Sequence, residues 1–77
     1  IVNIFPNPND GSFEIKLPEN INTSYKLEIS DLTGKKIHSE IMNPIKNLIQ
    51  LEQKTRGIHI LNLTTESHQY TRRIIIE

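Results

Sequence analysis

Fourteen of the 77 residues are isoleucine and none is alanine. β-Branched side chains lose rotamer freedom in a helix and pack well on a pleated surface. Six threonines reinforce the bias, so the composition argues against a helical bundle and for sheets. The 27 apolar residues suffice for one core and one domain. At this length only about 60% of the chain's surface can be buried, which makes stability depend on well-filled layers. With no cysteine anywhere, disulfide staples, thiolate zinc sites, iron–sulfur clusters and cysteine nucleophiles are all excluded.

Nine Lys and Arg balance nine Asp and Glu, with a sequence pI near 7.0. No global field draws such a chain to nucleic acid or to a membrane surface. The longest apolar run, Ile74-Ile75-Ile76, is far short of the roughly 20 residues that span a bilayer. The chain starts at Ile1 without a basic, apolar and small-residue leader. It is therefore expected to be a segment of a longer protein, with any export signal outside these residues and with 1–77 forming a single domain.

Strand and turn signals recur along the chain. Ile1 to Phe5 is apolar and stops at Pro6-Asn7-Pro8-Asn9-Asp10-Gly11, where two prolines withhold backbone donors and Asn, Asp and Gly accept turn geometry. Phe13 to Leu17 alternates strictly and ends at Pro18. Tyr25 to Ser30 alternates in the same way. The turn Asp31-Leu32-Thr33-Gly34-Lys35 places Asp to bond the turn backbone and Gly34 where φ can be positive, with a return strand over Lys36 to Ile41. Asn47 to Leu51 is a brief strand. Gly57 opens the most apolar one, in which Ile58 and Ile60 oppose His59, Leu61 and Leu63; this predicts a central strand covered on both faces. In the last strand Tyr70, Arg72, Ile74 and Ile76 share one face, and Thr71, Arg73 and Ile75 the other. About seven short strands with polar turns predict an all-β, immunoglobulin-like antiparallel β-sandwich, with an incomplete barrel as the other arrangement.

Catalytic and ligand-binding patterns are weak. Ser39 follows His38 and His68 follows Ser67, but neighbours along a strand face opposite ways, and neither pair sits in a nucleophile signature. His38, His59 and His68 lack the spacing of a zinc motif, and His59 reads as a partly buried ring with a backbone partner. In a calcium-loop phase, Pro6 and Pro8 occupy the first two ligand positions, so that match fails. The triplets Asn22-Thr23-Ser24 and Asn62-Leu63-Thr64 have the sequon form that chance yields in an Asn-rich chain. Lys35-Lys36 and Arg72-Arg73 are the basic doublets, with no aromatic platform for single-stranded nucleic acid. Few aromatics are free to stack on sugar. No enzyme, cofactor, metal or nucleic-acid role is expected, and no membrane insertion.

Five blocks in order carry a resemblance: Ile4-Phe5-Pro6-Asn7-Pro8, Gly11-Ser12-Phe13, Ile29 to Ile37 with its Asp-Leu-Thr-Gly-Lys turn, Arg56-Gly57 through Leu63, and Tyr70 to Ile76. Together they resemble the type A C-terminal sorting domain of cargo for the type IX (Por) secretion system of Bacteroidota, over essentially the whole chain. Phe5 stands where the family usually has Tyr, His59 where it usually has Tyr, and Arg72-Arg73 where Lys is common. Phe5 keeps a ring, whereas His59 is smaller and more polar; Arg keeps the charge but changes the hydrogen-bonding geometry.

The resemblance implies a sorting signal that takes a fused N-terminal cargo through the periplasm to the cell surface or the medium. Its implied partners are the outer-membrane translocon, shuttle proteins and a sortase-like attachment peptidase that removes the domain. An exposed edge strand can recruit a partner by strand addition, or a second copy. Tyr70, Arg72, Arg73, Ile74, Ile75 and Ile76 are the candidate recognition residues, with Pro6, Asn7, Pro8, Gly34 and Gly57 as fold-maintaining ones. The alternative is an accessory β-sandwich of a secreted enzyme or adhesin, either carbohydrate-binding or a spacer.

Overall fold

The computed structural model describes residues 2–52 and 55–77; Ile1 of the expected first strand, and 53–54 of the connection after Leu51, lie outside them. Seven strands follow in order: β1 (Asn3–Phe5), β2 (Ser12–Lys16), β3 (Tyr25–Asp31), β4 (Lys36–Met42), β5 (Leu48–Gln50), β6 (Gly57–Thr64) and β7 (Gln69–Ile76). They form a three-stranded sheet in the order β1-β2-β5 and a four-stranded sheet in the order β4-β3-β6-β7, antiparallel throughout. The all-β sandwich expected from the alternation is present. Its strand order differs from the immunoglobulin constant type in one place, because β4 lies beside β3 rather than in the first sheet.

A local cause dictates that placement. Asp31 Oδ1 accepts the Thr33 N–H at 2.9 Å, the Lys35 N–H at 3.0 Å and the Thr33 hydroxyl at 2.6 Å. Gly34 takes φ +90°, a conformation that L side chains rarely adopt. So tight a turn returns the chain directly alongside β3, with a register shift after Ile29 that leaves Ile37 as the extra residue.

The period-2 pattern sorts side chains between the layers. Phe13, Ile15 and Ile49 of the first sheet meet Tyr25, Leu27, Ile29, Met42, Leu61, Leu63, Ile74 and Ile76 of the second, and Val2, Ile21 and Leu51 complete the cluster. β6 is internal, paired to β3 and β7, but the expectation that both its faces are covered is not met. No layer lies outside it among the described residues, so Ile58 is 39% exposed and Ile60 half-buried. A sandwich of seven strands has only one interior.

His59 is 1% exposed and lies opposite Ile74 and Asp31. Its Nδ1 donates to the Gly57 carbonyl at 3.1 Å, while Nε2 has no partner. The expected backbone partner is thus found, within a ring more deeply buried than expected.

Surface carboxylates make the fold sensitive to acid. Lys46 Nζ lies 2.7 Å from Glu40 and His38 Nε2 3.0 Å from it; the Lys46 hydrogen bond, then His38, hold this carboxyl below its ordinary range. Lys36 does the same for Glu28, helped by Lys26, and the Thr33 hydroxyl and the turn amides do so for Asp31. A carboxyl with a depressed folded pKa contributes stability that is fully present above the unfolded value, about 4, and is lost as pH falls through the folded value. Urea midpoints are therefore expected to fall steadily below about pH 5, and Asp31→Asn should flatten that slope. An acid limb identical in Asp31→Asn would remove the turn carboxylate as a cause.

Candidate recognition surface

β7 is set in place from both of its ends. At its start, Thr65 closes the hairpin: its N–H donates to the His68 carbonyl at 2.8 Å, and its hydroxyl accepts the His68 N–H at 2.9 Å. From there β7 runs in continuous register against β6, from Thr64 opposite Gln69 to Gly57 opposite Ile76. Gly57 has φ +123° with open space around the position of a Cβ, so glycine is needed there for its backbone and not for close packing.

Alternation divides the candidate residues of β7. Ile74 and Ile76 are 0% and 2% exposed and belong to the core. Tyr70 is half-buried against the core, its ring stacked on His68 at 6.1 Å. Arg72 lies on the same inner face, half-buried, opposite Leu61. Its Nε donates to the Val2 carbonyl at 2.9 Å and its Nη1 to the Thr71 carbonyl at 2.8 Å. That guanidinium ties the start of the chain to its last strand, across 70 residues of sequence.

The outer edge of β7 is occupied. Asn7 behaves there as one residue of a neighbouring strand: its Nδ2 donates to the Arg73 carbonyl at 3.1 Å, and its Oδ1 accepts the Ile75 N–H at 2.9 Å. Two residues on, the Asn9 N–H donates to the Ile75 carbonyl at 2.9 Å, and the Asn9 carbonyl accepts the Glu77 N–H at 2.8 Å. These bonds form a short parallel bridge between Asn9 and Ile76. Pro6 and Pro8, both preceded by cis peptides, flank Asn7 in the segment that crosses from the first sheet to this edge.

Asn9 was not singled out from sequence. It is 6% exposed, its Oδ1 accepts the Gly11 N–H at 2.9 Å and its Nδ2 donates to the Pro6 carbonyl at 3.1 Å. The available signal was the Asn-Asp-Gly run, since Asn bonds readily to the backbone two residues on.

What β7 presents to solvent is its other face. Arg73 is exposed there and has no ion-pair partner among the described residues. Ile60 lies directly opposite it and Ile58 opposite Ile75, so the cation shares this face with three partly exposed isoleucines. Farther along the same face, Glu28 is engaged by Lys36 and Lys26.

Elsewhere the described residues hold no group of three His, Asp or Glu able to bind a metal ion. Ser67 Oγ and His68 Nδ1 are 2.8 Å apart, closer than strand alternation predicts, because both lie in the turn before β7. The pair is exposed, and among the described residues no carboxylate bonds to that ring. It therefore lacks the orienting group that nucleophilic catalysis needs.

Comparison with known proteins bears on the domain as a whole. No curated protein matches the chain. The family model of the secretion system C-terminal sorting domain matches residues 3–77, which takes in the Asn7 and Asn9 segment, the Asp31 turn and all of β7. The chain belongs to this family, the C-terminal sorting domains of the type IX secretion system, signals that direct export of an attached cargo protein to the cell surface or the medium.

Proposed function

We propose that the type IX machinery reads the solvent face of β7, with Arg73 as its charged centre and Ile75, Ile58 and Ile60 as its apolar surround. One observation carries this reading: of the terminal basic doublet, Arg73 is exposed and unpaired among the described residues, whereas Arg72 is held by backbone carbonyls. Ile74 and Ile76 act through the core, and Tyr70 through its packing on His68. Pro6, Asn7, Pro8, Gly34 and Gly57 maintain the geometry that presents this face. The reader is the outer-membrane translocon or its shuttle protein. The cargo is fused on the N-terminal side of a domain that ends the larger protein, and a sortase-like peptidase then removes the domain.

A reporter with a signal peptide, a fluorescent protein and this domain tests the reading in a host with a type IX system. Arg73→Glu is expected to abolish export while the thermal midpoint of the purified domain is unchanged, and Arg73→Lys to retain most export. Arg72→Ala should instead lower stability by about 1.5–3 kcal/mol, the worth of hydrogen bonds from a charged group. Parental export by both Arg73→Glu and Ile75→Asp would rule this face out. An accessory spacer or sugar-binding module predicts no dependence on Arg73 at all.

A further inference from the structure

The edges of the two sheets are not equally closed. β1 and β7 lie on the same side of the sandwich and are laced together through Arg72 and Val2, and the outer edge of β7 carries Asn7 and Asn9. β5 has only three residues. β4 is seven residues long and pairs with β3 alone; among the described residues nothing bonds to its outer backbone edge. A long open edge is a template for another strand.

The side chains of β4 make that template selective. His38 and Glu40 point inward beside β5, at a cleft also lined by Gln50 and Glu52, while Ser39 and Ile41 point outward, Ile41 being 70% exposed. Inward polar side chains deter an apolar foreign strand, which offers them no further hydrogen bonds. A second copy meets them differently. When two β4 strands run antiparallel about a two-fold axis at Ser39, His38 of each faces Glu40 of the other and Ser39 faces Ser39. Sliding by two residues sets Glu40 against Glu40 or His38 against His38. Sliding by one turns inward side chains outward. A histidine facing a carboxylate on both sides of the axis therefore favours the register centred on Ser39, and it is self-complementary. Glu40 already accepts from His38 and Lys46, and a carboxylate has room for a further donor.

We infer that β4 is a self-association edge, through which two copies of this domain join their four-stranded sheets antiparallel about Ser39. The surface is separate from the one proposed for export, since β4 and β7 are opposite edges of the sheet, so either can fail without the other.

The lack of cysteine makes the register directly testable. In Ser39→Cys chains the two new thiols face each other across the axis, at the Cβ separation of about 4.5–5.5 Å of directly opposite strand residues. Under mild oxidation this variant is expected to form a disulfide-linked dimer about tenfold faster than Ile41→Cys, whose thiols lie off the axis. Sedimentation of the unaltered chain should show a monomer–dimer equilibrium. Glu40→Lys should weaken it by roughly tenfold through its two equivalent contacts, and the double change His38→Glu with Glu40→Lys should restore it. The inference fails if the unaltered chain stays monomeric at millimolar concentration, if the two cysteine variants cross-link at equal rates, or if only an unrelated strand peptide binds the edge.

Discussion

Leu61→Ala is expected to lower the stability of this domain by about 2–5 kcal/mol, the range for truncating a fully buried leucine. Leu61 is 0% exposed and stands in the middle of the four-stranded sheet, with Ile29 beside it on β3 and Arg72 on β7. Its side chain enters the layer shared with Phe13, Ile15 and Ile49. Alanine there removes both the apolar transfer and the contacts across the sandwich, and a strand held by two neighbours cannot collapse far to refill the space. A 77-residue chain has on the order of 4–12 kcal/mol to lose, and no disulfide limits its unfolded state. Urea titration of the purified domain reads the loss directly. In the export reporter the same change should cut secretion through unfolding, leaving the recognition face chemically intact. Ile45→Ala, at a side chain 87% exposed, is the control and should change stability by less than about 0.5 kcal/mol. A loss below about 1 kcal/mol in Leu61→Ala would mean that the two sheets do not pack as described.

Asn9→Ala is the second large effect, about 1–3 kcal/mol, the cost of leaving a buried backbone donor without its acceptor. The donor is the N–H of Gly11, itself buried, and the Pro6 carbonyl loses its partner in the same step. Asn9→Asp keeps the acceptor but turns a carboxylate oxygen toward the Pro6 carbonyl in place of the Nδ2 donor, at a buried site, so a loss at least as large is expected. The distinctive consequence lies elsewhere in the chain. The backbone of Asn9 holds Ile75 and Glu77, so loosening this segment should reduce hydrogen-exchange protection of the Glu77 and Ile75 amides while Leu27 and Leu61 keep theirs. Unchanged protection at Glu77 in Asn9→Ala would show that the side chain does not organise the clamp. Export should fall along with the protection, since the face bearing Arg73 is presented by the strand the clamp holds.

Much of this architecture was legible from residue order. Strict alternation in Phe13 to Leu17 and Tyr25 to Ser30 marks both the strands and their buried faces, because side chains on a strand have a period of two regardless of context. The turn at Asp31 to Lys35 was equally legible, since its hydrogen bonds run between residues at most four apart. The exposed outer face of β6 was not. An apolar run such as Ile58 to Leu63 reads alike whether it is covered on one face or two, and the number of layers is a property of the whole chain. The Ser67–His68 contact escapes the alternation rule for a related reason, since the pair lies in a turn and not in a strand.

Residue order alone determined that Arg72 and Arg73 stand on opposite faces of the last strand, because adjacent residues of any strand do. Which arginine is unpaired among the described residues, and which edge is open among them, only the folded molecule decided. Arg72 is engaged by a carbonyl 70 positions away, and the edge of β7 is closed by side-chain bonds spanning 66 and 68 positions. A local period carries no information about partners so distant in sequence. They are chosen when the two sheets stack and bring the residues flanking the first strand against the last.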